Sequence, residues 1–150
     1  MLYLKTSLCT ALAGIALIAT FIQAQSPAKS ALKTAVYDWT KFPAEPTKSG
    51  ERRLFFDGPT ATLAELDCHA TTINPGAATH PPQPQPNDEL IIVREGALEA
   101  QVDGHPERFG QGSILFQAAG DLHGVKNVGD TPATYYVIKI VPKATQSESK

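Results

Sequence analysis

A run of glutamines and prolines leads into one of the most apolar segments of the chain. Gln83 and Gln85 alternate with prolines, and Glu89 follows at the head of the run LIIV. In extended backbone every second side chain shares a face, so these three fall on one side, unless the prolines impose polyproline geometry with a period of about three. A carboxylate entering a buried strand needs a cation, a metal ion or N–H donors as partner. We therefore expect Glu89 to face a cavity.

Two histidines lie at boundaries between turns and strands. His80 follows the turn NPGAAT, and His123 follows AAGDL and precedes a glycine. Imidazole nitrogens bind transition metals, whereas amide and carboxylate oxygens suit harder ions and also hydrogen-bond small polar molecules. These residue types predict a polar site that holds either a divalent metal or a polar ligand.

The segments that carry these residues resemble the two motifs of the cupin superfamily. Residues 76–96 keep the first motif's spacing. Two ligand positions are separated by one residue, a gap of three residues leads to an acid, and a gap of six residues leads to a glycine. Residues 112–127 match the second motif at Gly112, Gly120, His123 and Asn127. The chain departs from the family at Gln83 and Gln85, which replace histidines, and at Ala118, which replaces a proline.

The resemblance covers about residues 54–141 and implies a metal centre. Its four ligand positions would be Gln83, Gln85, Glu89 and His123. An amide oxygen is a neutral, modest ligand, so this set should favour Mn²⁺ or a similar hard divalent ion over the metals that imidazole prefers. With His80 as an auxiliary ligand, the two-histidine, one-carboxylate arrangement of non-haem iron becomes available.

The same residues also have ordinary structural roles, which the sequence leaves open. Glu89 could pair with Arg94 or Lys126 at the surface. The two glutamines could face solvent in a loop, and His123 could be an ordinary hydrogen-bonded histidine at a barrel mouth.

The remaining histidines and the thiol carry no motif. His69 and His105 are expected in surface or strand positions. Cys68 lies in an alternating, strand-like run, which predicts a buried and inert thiol. It is the one cysteine after residue 24, so that part of the chain closes no internal disulfide.

Turn residues divide the middle of the chain into roughly eight strand-like segments, without helical periodicity. Asp103-Gly104 is predicted to form a two-residue hairpin turn. Short strands at this spacing predict a closed barrel or a jelly roll. Together with the resemblance, the predicted fold class is all-β, a small, jelly-roll-like cupin β-barrel. We expect Ile92, Leu115 and Tyr136 to line its interior.

The chain ends differ in composition from this middle part. Residues 1–24 combine one lysine, an apolar run of 15 residues and a polar exit, the pattern of a signal peptide. Residues 25–50 are predicted to be a linker or arm in which Trp39 packs on the domain or a partner. The barrel is predicted over 51–142, and 143–150 form a flexible tail. The predicted location is secreted or periplasmic, with no stable membrane insertion after cleavage.

Charge and resemblance bound the function. Removing residues 1–24 leaves 12 basic and 15 acidic residues, a formal charge of −3, and no basic stripe for nucleic acid. Two functions stay open: a barrel that binds a small polar molecule beside a partly degenerate metal centre, or a divalent-metal enzyme of dioxygenase, lyase or isomerase type. The resemblance also implies pairing into a homodimer.

Overall fold

The structure, a computed structural model, describes residues 28–144. The predicted signal peptide, residues 1–24, lies outside this range, as do residues 145–150 of the predicted tail. Within the described range, no helix is both long enough and apolar enough to cross a membrane. The same range contains eleven strands and one short 3₁₀ helix, Trp39–Lys41, which confirms the all-β prediction.

The strands form three antiparallel sheets. A six-stranded sheet has the order β1-β2-β3-β11-β5-β8, a three-stranded sheet has the order β10-β6-β7, and β4 pairs with β9. The strands are β1 (Glu45–Thr47), β2 (Gly50–Gly58), β3 (Leu63–Ile73), β4 (Gln83–Pro84), β5 (Asp88–Glu95), β6 (Ala97–Val102), β7 (His105–Gly110), β8 (Ile114–Gln117), β9 (Leu122–His123), β10 (Val125–Asn127) and β11 (Ala133–Pro142). β1 lies within the predicted arm, so strand structure begins before residue 51.

The pairing of β11 with β3 and β5 decides which side chains point inward. Tyr135 lies opposite Thr71 and Val93 on the neighbouring strands. Tyr135 and Val93 belong to the buried core cluster, which fixes this row on the inner face. Because side chains alternate along a strand, every second residue from this row also faces inward. The rest of the cluster is Ile73, Ile91, Leu98, Ala100, Val125, Ala133 and Val137.

The expected lining was wrong by one residue on two strands. Ile92 and Tyr136 are partners in the pairing of β5 with β11, and they lie on the outer face. Their neighbours Ile91 and Tyr135 point inward. Leu115 does pack against the core. Both strands are apolar or aromatic on both faces in their central segments, LIIV and YYVI, so these segments lack the alternation that would have fixed the inward face.

The arm covers part of this outer face. The ring centroid of Trp39 lies 5.8 Å from that of Phe55 and 6.0 Å from that of Tyr136. The guanidinium groups of Arg53 and Arg94 lie 4.6 and 4.0 Å from the same indole ring, within cation–π range. Trp39 is therefore a packing element of its own chain, and the outer face is apolar because the arm covers it.

Two turns need residues that accept positive φ. Asp103 and Gly104 have φ values of 48° and 79°, and they join β6 to β7 in the predicted hairpin. Gly96 joins β5 to β6 with φ 86°, and a Cβ built there would lie 2.7 Å from Ala133. The second turn therefore requires glycine at residue 96, both for its positive φ and because a Cβ would clash with Ala133.

Candidate functional site

A cavity of about 370 Å³ lies on the inner face of the six-stranded sheet. Ile91, Val125 and Val137 give it an apolar floor. Its polar wall residues include Arg52, His69, Thr71, His80, Glu89, Gln117 and Tyr135. An apolar floor with a few convergent polar groups is the usual construction of a small-molecule site.

Glu89 and His123 come together at one end of this region. Glu89 is the second residue of β5, and His123 is the last of β9. The distance from His123 Nδ1 to Glu89 Oε2 is 3.5 Å. His123 is 1% exposed, whereas Glu89 reaches the cavity. The residues suggested as surface partners of Glu89 lie elsewhere: Arg94 faces Glu95, and Lys126 lies opposite Glu99 on β6.

The hydrogen bonds of His123 fix where its protons lie. The ring Nε2 lies 2.8 Å from the carbonyl oxygen of Ala118, which only accepts, so Nε2 carries a proton and donates it. Nδ1 is buried and has no hydrogen-bond partner within residues 28–144. Nδ1 and the Glu89 carboxylate therefore need a shared proton or a cation between them.

The two glutamines take less central positions. Gln83 pairs with His123 in the short sheet β4-β9, but its side chain is exposed. Gln85 is half-buried, and its backbone exchanges hydrogen bonds with Gly120 and Asp121. Neither side chain lines the cavity. His80 does line it, with its Nδ1 2.9 Å from the carbonyl of Pro81.

The metal centre that the sequence suggests needs several donor atoms close together. Glu89 and His123 supply one oxygen and one nitrogen, and no group of three or more histidine, cysteine or acidic side chains gathers within the described part of the chain. Most protein metal sites for transition ions use three or more side-chain ligands. The side chains as placed do not fit a complete metal centre, and the four-ligand assignment stays a prediction.

A second polar cluster lies on the other side of the cavity, which sequence reasoning missed. Asp67 and His69 are two residues apart on β3 and share the inner face. His69 Nδ1 lies 2.5 Å from Asp67 Oδ1, and an Arg52 guanidinium nitrogen lies 3.5 Å from Asp67 Oδ2. His69 occupies a strand position, as expected, and its ring also lines the cavity. The signal in the sequence was the alternation in ELDCHATT.

Charge balance keeps Asp67 ionised although it is only 5% exposed. Burial raises the pKa of Asp67, but the hydrogen bond and charge of His69, together with the charges of Arg52 and Lys139, outweigh burial and hold it below its usual value. Lys139 itself pairs with Glu65 at 2.5 Å. Asp67 is therefore a buried anion within a cationic surrounding.

Two further polar groups complete the cavity. Burial raises the pKa of the Tyr135 hydroxyl to about 12, although hydrogen bonds with Thr79 and Thr71 act to lower it. The hydroxyl therefore stays protonated. Gln117 donates from Nε2 to the carbonyl of Leu122 at 3.3 Å, while its Oε1 is buried without a partner in residues 28–144. Gln117 thus offers a free acceptor next to Glu89, its partner across β5 and β8.

The other two residues without a motif stay outside the site. His105 is exposed beside the hairpin turn. Cys68 points away from the cavity on β3 and is half-buried; burial raises the pKa of its thiol to about 11. A thiol with that pKa is almost wholly protonated at neutral pH, which supports the predicted inert role.

Comparisons with known proteins agree on the type of domain. The family model described as "Cupin domain" matches residues 69–139. A structure of KdgF from Halomonas sp. aligns with a TM-score of 0.60 at 16% identity, over 75% of this chain and 97% of that one. An RmlC-like cupin from Shewanella frigidimarina gives 0.59 at 16% identity, over 76% and 95%.

A predicted oxalate decarboxylase from Thermotoga maritima gives 0.58 at 14% identity, over 71% of this chain and 99% of that one. At these identities the likeness shows the fold alone. No curated protein matches the chain significantly.

Proposed function

The chain belongs to the cupin superfamily, and from that premise we propose that it is an exported barrel that binds a small polar molecule, a hydroxy acid or sugar acid, in its interior. One observation carries the proposal: a cavity of about 370 Å³ is lined by the cationic residues Lys48 and Arg52 and also by Glu89 and Gln117, whose Oε1 has no partner in the described residues. The fold does not choose the ligand, because cupin barrels host many functions.

The cationic side supports a ligand with an acidic group. Arg52 lies on β2 and Lys48 immediately before it, and both line the cavity. The Arg52 side chain is 39% exposed, and one of its guanidinium nitrogens lies 3.5 Å from Asp67 Oδ2. This long contact leaves other N–H donors of the guanidinium free. A guanidinium presents a planar set of donors that matches a carboxylate.

The opposite side supports hydroxyl groups on the ligand. Glu89 and Gln117 face each other across neighbouring strands, and both line the cavity. The Gln117 Oε1 atom is a buried acceptor without a partner in the described residues, whereas His123 Nδ1 faces Glu89 and is not part of the cavity lining. An unpartnered buried polar atom costs about 1–3 kcal/mol, so a hydroxyl that donates to it gains that amount.

The volume suits such a molecule. Liquid water occupies about 30 Å³ per molecule, so the cavity has room for about a dozen waters or for one six-carbon acid. A thermal-shift assay in the presence of a chelator tests the proposal with D-galacturonate, D-gluconate and malate as probes. The neutral sugar D-galactose is the matched control for the carboxylate.

At ten times its dissociation constant, a bound acid stabilises the protein by about 1.4 kcal/mol. For a domain of this size the shift in Tm should be about 5 °C. Arg52→Gln and Glu89→Gln should each abolish the shift, and Arg108→Gln, at an exposed arginine on β7, should keep it. If no acid gives a shift, or if the Arg52→Gln variant responds like the natural protein, the proposed ligand class is wrong.

A second candidate function, a divalent-metal enzyme of dioxygenase, lyase or isomerase type, is supported by one contact. The His123 Nδ1 lone pair faces the Glu89 carboxyl group at 3.5 Å, an arrangement that a bound cation would satisfy, and members of the superfamily commonly bind metal. Elemental analysis of untagged protein, purified without chelator, tests this function. A stoichiometric ion that His123→Ala removes would favour the enzyme over the binding barrel.

Restoring histidine tests whether the centre is partly degenerate. The double change Gln83→His and Gln85→His should raise the bound Mn or Fe well above that of the natural protein. Gln111→His, at an exposed position before β8, is the control. A natural protein already fully loaded, with no gain in the double variant, would contradict a degenerate centre.

The proposed location and assembly have their own tests. N-terminal sequencing of the exported protein should show a start near residue 25.

Pairing into a homodimer is supported by Ile114 and Phe116, which are 66% and 57% exposed on the outer face of the edge strand β8. Light scattering should give twice the chain mass, and Phe116→Glu should reduce it to one; a monomeric natural protein would refute the pairing.

A further inference from the structure

We propose that His69, oriented by Asp67, is a general base that moves a proton on the molecule held in the cavity. The barrel would then catalyse proton transfer at a carbon next to a carbonyl group, and the substrate would be a hydroxy acid or sugar acid that also presents an aldehyde or ketone. This inference rests on the proposed function, because the cavity and ligand class are the same. The residues that carry it lie on β2, β3 and β11, away from the two sequence motifs.

The geometry assigns the protons of His69. Asp67 is ionised and only accepts, so the contact of 2.5 Å requires a proton on His69 Nδ1. In the neutral ring, Nε2 then carries the lone pair. Nε2 has no hydrogen-bond partner within residues 28–144, and the ring lines the cavity. A carboxylate that fixes the tautomer of an imidazole whose other nitrogen faces a ligand is the arrangement of base and orienting acid in general base catalysis.

The charged groups around the pair support this role. Arg52 contacts Asp67 from β2, Lys139 approaches from β11 and pairs with Glu65, and Glu89 lies across the cavity on β5. The nearby cations keep Asp67 ionised, and ionised Asp67 stabilises the imidazolium that forms when His69 takes a proton. Tyr135, on β11, remains a neutral donor in the same cavity.

A purely structural pair is the alternative. The residues beside His69 in the same layer, Val137 on β11 and Ile91 beyond it, are apolar. A buried ion pair of this kind is often replaced by apolar side chains with no loss of stability. A buried acid that holds an imidazole at the cavity wall therefore needs a reason other than packing, and a proton-transfer role supplies one.

The step balances without a cofactor. His69 Nε2 takes the proton from the carbon next to the carbonyl group. The electron pair of that C–H bond forms a C=C bond, and the carbonyl π pair moves to oxygen, where Arg52 and the Tyr135 hydroxyl counter the charge. The imidazolium returns the proton to the same carbon, which gives back the substrate. Where that carbon carries a hydroxyl group, the proton instead goes to the former carbonyl carbon while the hydroxyl proton moves to the neighbouring oxygen, which gives the isomeric carbonyl compound. In D₂O, deuterium enters at the carbon that takes the proton.

The first experiment needs no ligand. Diethyl pyrocarbonate acylates unprotonated imidazole nitrogens, and peptide mass spectrometry reads the rate at each histidine. At alkaline pH, where protonation of the ring does not mask the effect, His69 should react. Asp67→Asn should slow its reaction about tenfold, because Nε2 loses the electron density that the carboxylate supplies through the ring, while exposed His105 keeps its rate. If His69 does not react, or reacts equally in both proteins, Nε2 is not an exposed and oriented base and the inference fails, whatever the cavity binds.

The second experiment measures the reaction. NMR follows deuterium entry next to the carbonyl of D-galacturonate and of pyruvate, with binding of each probe measured in parallel. His69→Gln should abolish exchange, Asp67→Asn should slow it about 10²-fold, and His105→Gln should leave it unchanged. Added imidazole should restore exchange to His69→Gly.

The outcomes separate the two proposals. A probe that binds but does not exchange overturns proton transfer and leaves the binding function intact. If neither probe binds, the ligand class of the proposed function fails, and the acylation rates still decide whether His69 is an oriented base. Exchange that persists in His69→Gln assigns the base elsewhere and overturns the inference.

Discussion

The proposed chemistry of the cavity depends on the contact between Asp67 and His69. The energy of this contact can be measured through the free energy of unfolding. We expect Asp67→Asn and His69→Gln each to destabilise the protein. The double variant should lose less free energy of unfolding than the sum of the two single losses. Once the first change has broken the contact, the second change has no contact left to break. Asparagine and glutamine are close in size to the residues that they replace, so the changes in packing are small.

The structure sets the size of the effect. Asp67 is 5% exposed, and its contact with His69 is a hydrogen bond to a charged group, worth about 1.5–3 kcal/mol. The contact with Arg52 is 3.5 Å long and partly solvated, so it adds less than about 1 kcal/mol. We therefore expect about 2 kcal/mol for Asp67→Asn, and a coupling energy of about 1–2 kcal/mol with His69.

Urea unfolding at neutral pH, followed by tryptophan fluorescence, measures these energies, and calorimetry provides a second reading. With 117 described residues and about 2.1 cal/mol/K of unfolding entropy per residue, a loss of 2 kcal/mol lowers Tm by about 8 °C. The same cycle with His105→Gln, at an exposed histidine, should give no coupling. Additive losses for Asp67 and His69 would show that the pair does not form in solution and would refute the reasoning.

Three other predictions follow from single features of the structure. Because the pKa of Asp67 is held below its usual value of about 3.9, its contribution to stability is complete above that pH and is lost as pH falls through the lower folded value; acid titration should therefore cost the natural protein more stability than Asp67→Asn. Asn127→Ala should destabilise by about 3 kcal/mol or more, since the buried amide hydrogen-bonds Ile73, Gly129 and Thr131; urea unfolding checks this, and a loss below 1 kcal/mol would contradict it. Gly96→Ala should lower Tm by more than 5 °C in calorimetry, because its φ is 86° and the added Cβ would meet Ala133; an unchanged Tm would mean that the turn relaxes freely.

The prediction of the fold followed from local rules. Short alternating segments separated by glycine and proline turns predicted the strands, and Asp103-Gly104 predicted the hairpin that the structure contains. The inward faces of the central strands were not predictable in the same way. The middles of β5 (LIIV) and β11 (YYVI) are continuously apolar or aromatic, so the sequence there offers two equivalent inward faces, and only packing of the arm on one face distinguishes them.

The candidate site was predicted in part. Motif spacing singled out Glu89 and His123, which the structure brings within 3.5 Å across a separation of more than 30 residues. The same spacing singled out Gln83 and Gln85, whose side chains lie outside the cavity; whether any of the four binds a metal stays a prediction. Asp67 and His69 were overlooked because they belong to no motif, although their alternation on one strand was visible.

The sequence by itself determined that this chain is rich in short strands, carries the two motifs of a cupin barrel and places an acid at the head of an apolar strand. Those properties depend on neighbours in the chain, which the sequence displays directly. Only the tertiary structure decided that Arg52 and His69, both in contact with Asp67, share a cavity with Glu89 and Gln117. These residues come from four strands, and their meeting depends on strand order and register, which are set by long-range packing rather than by any local pattern.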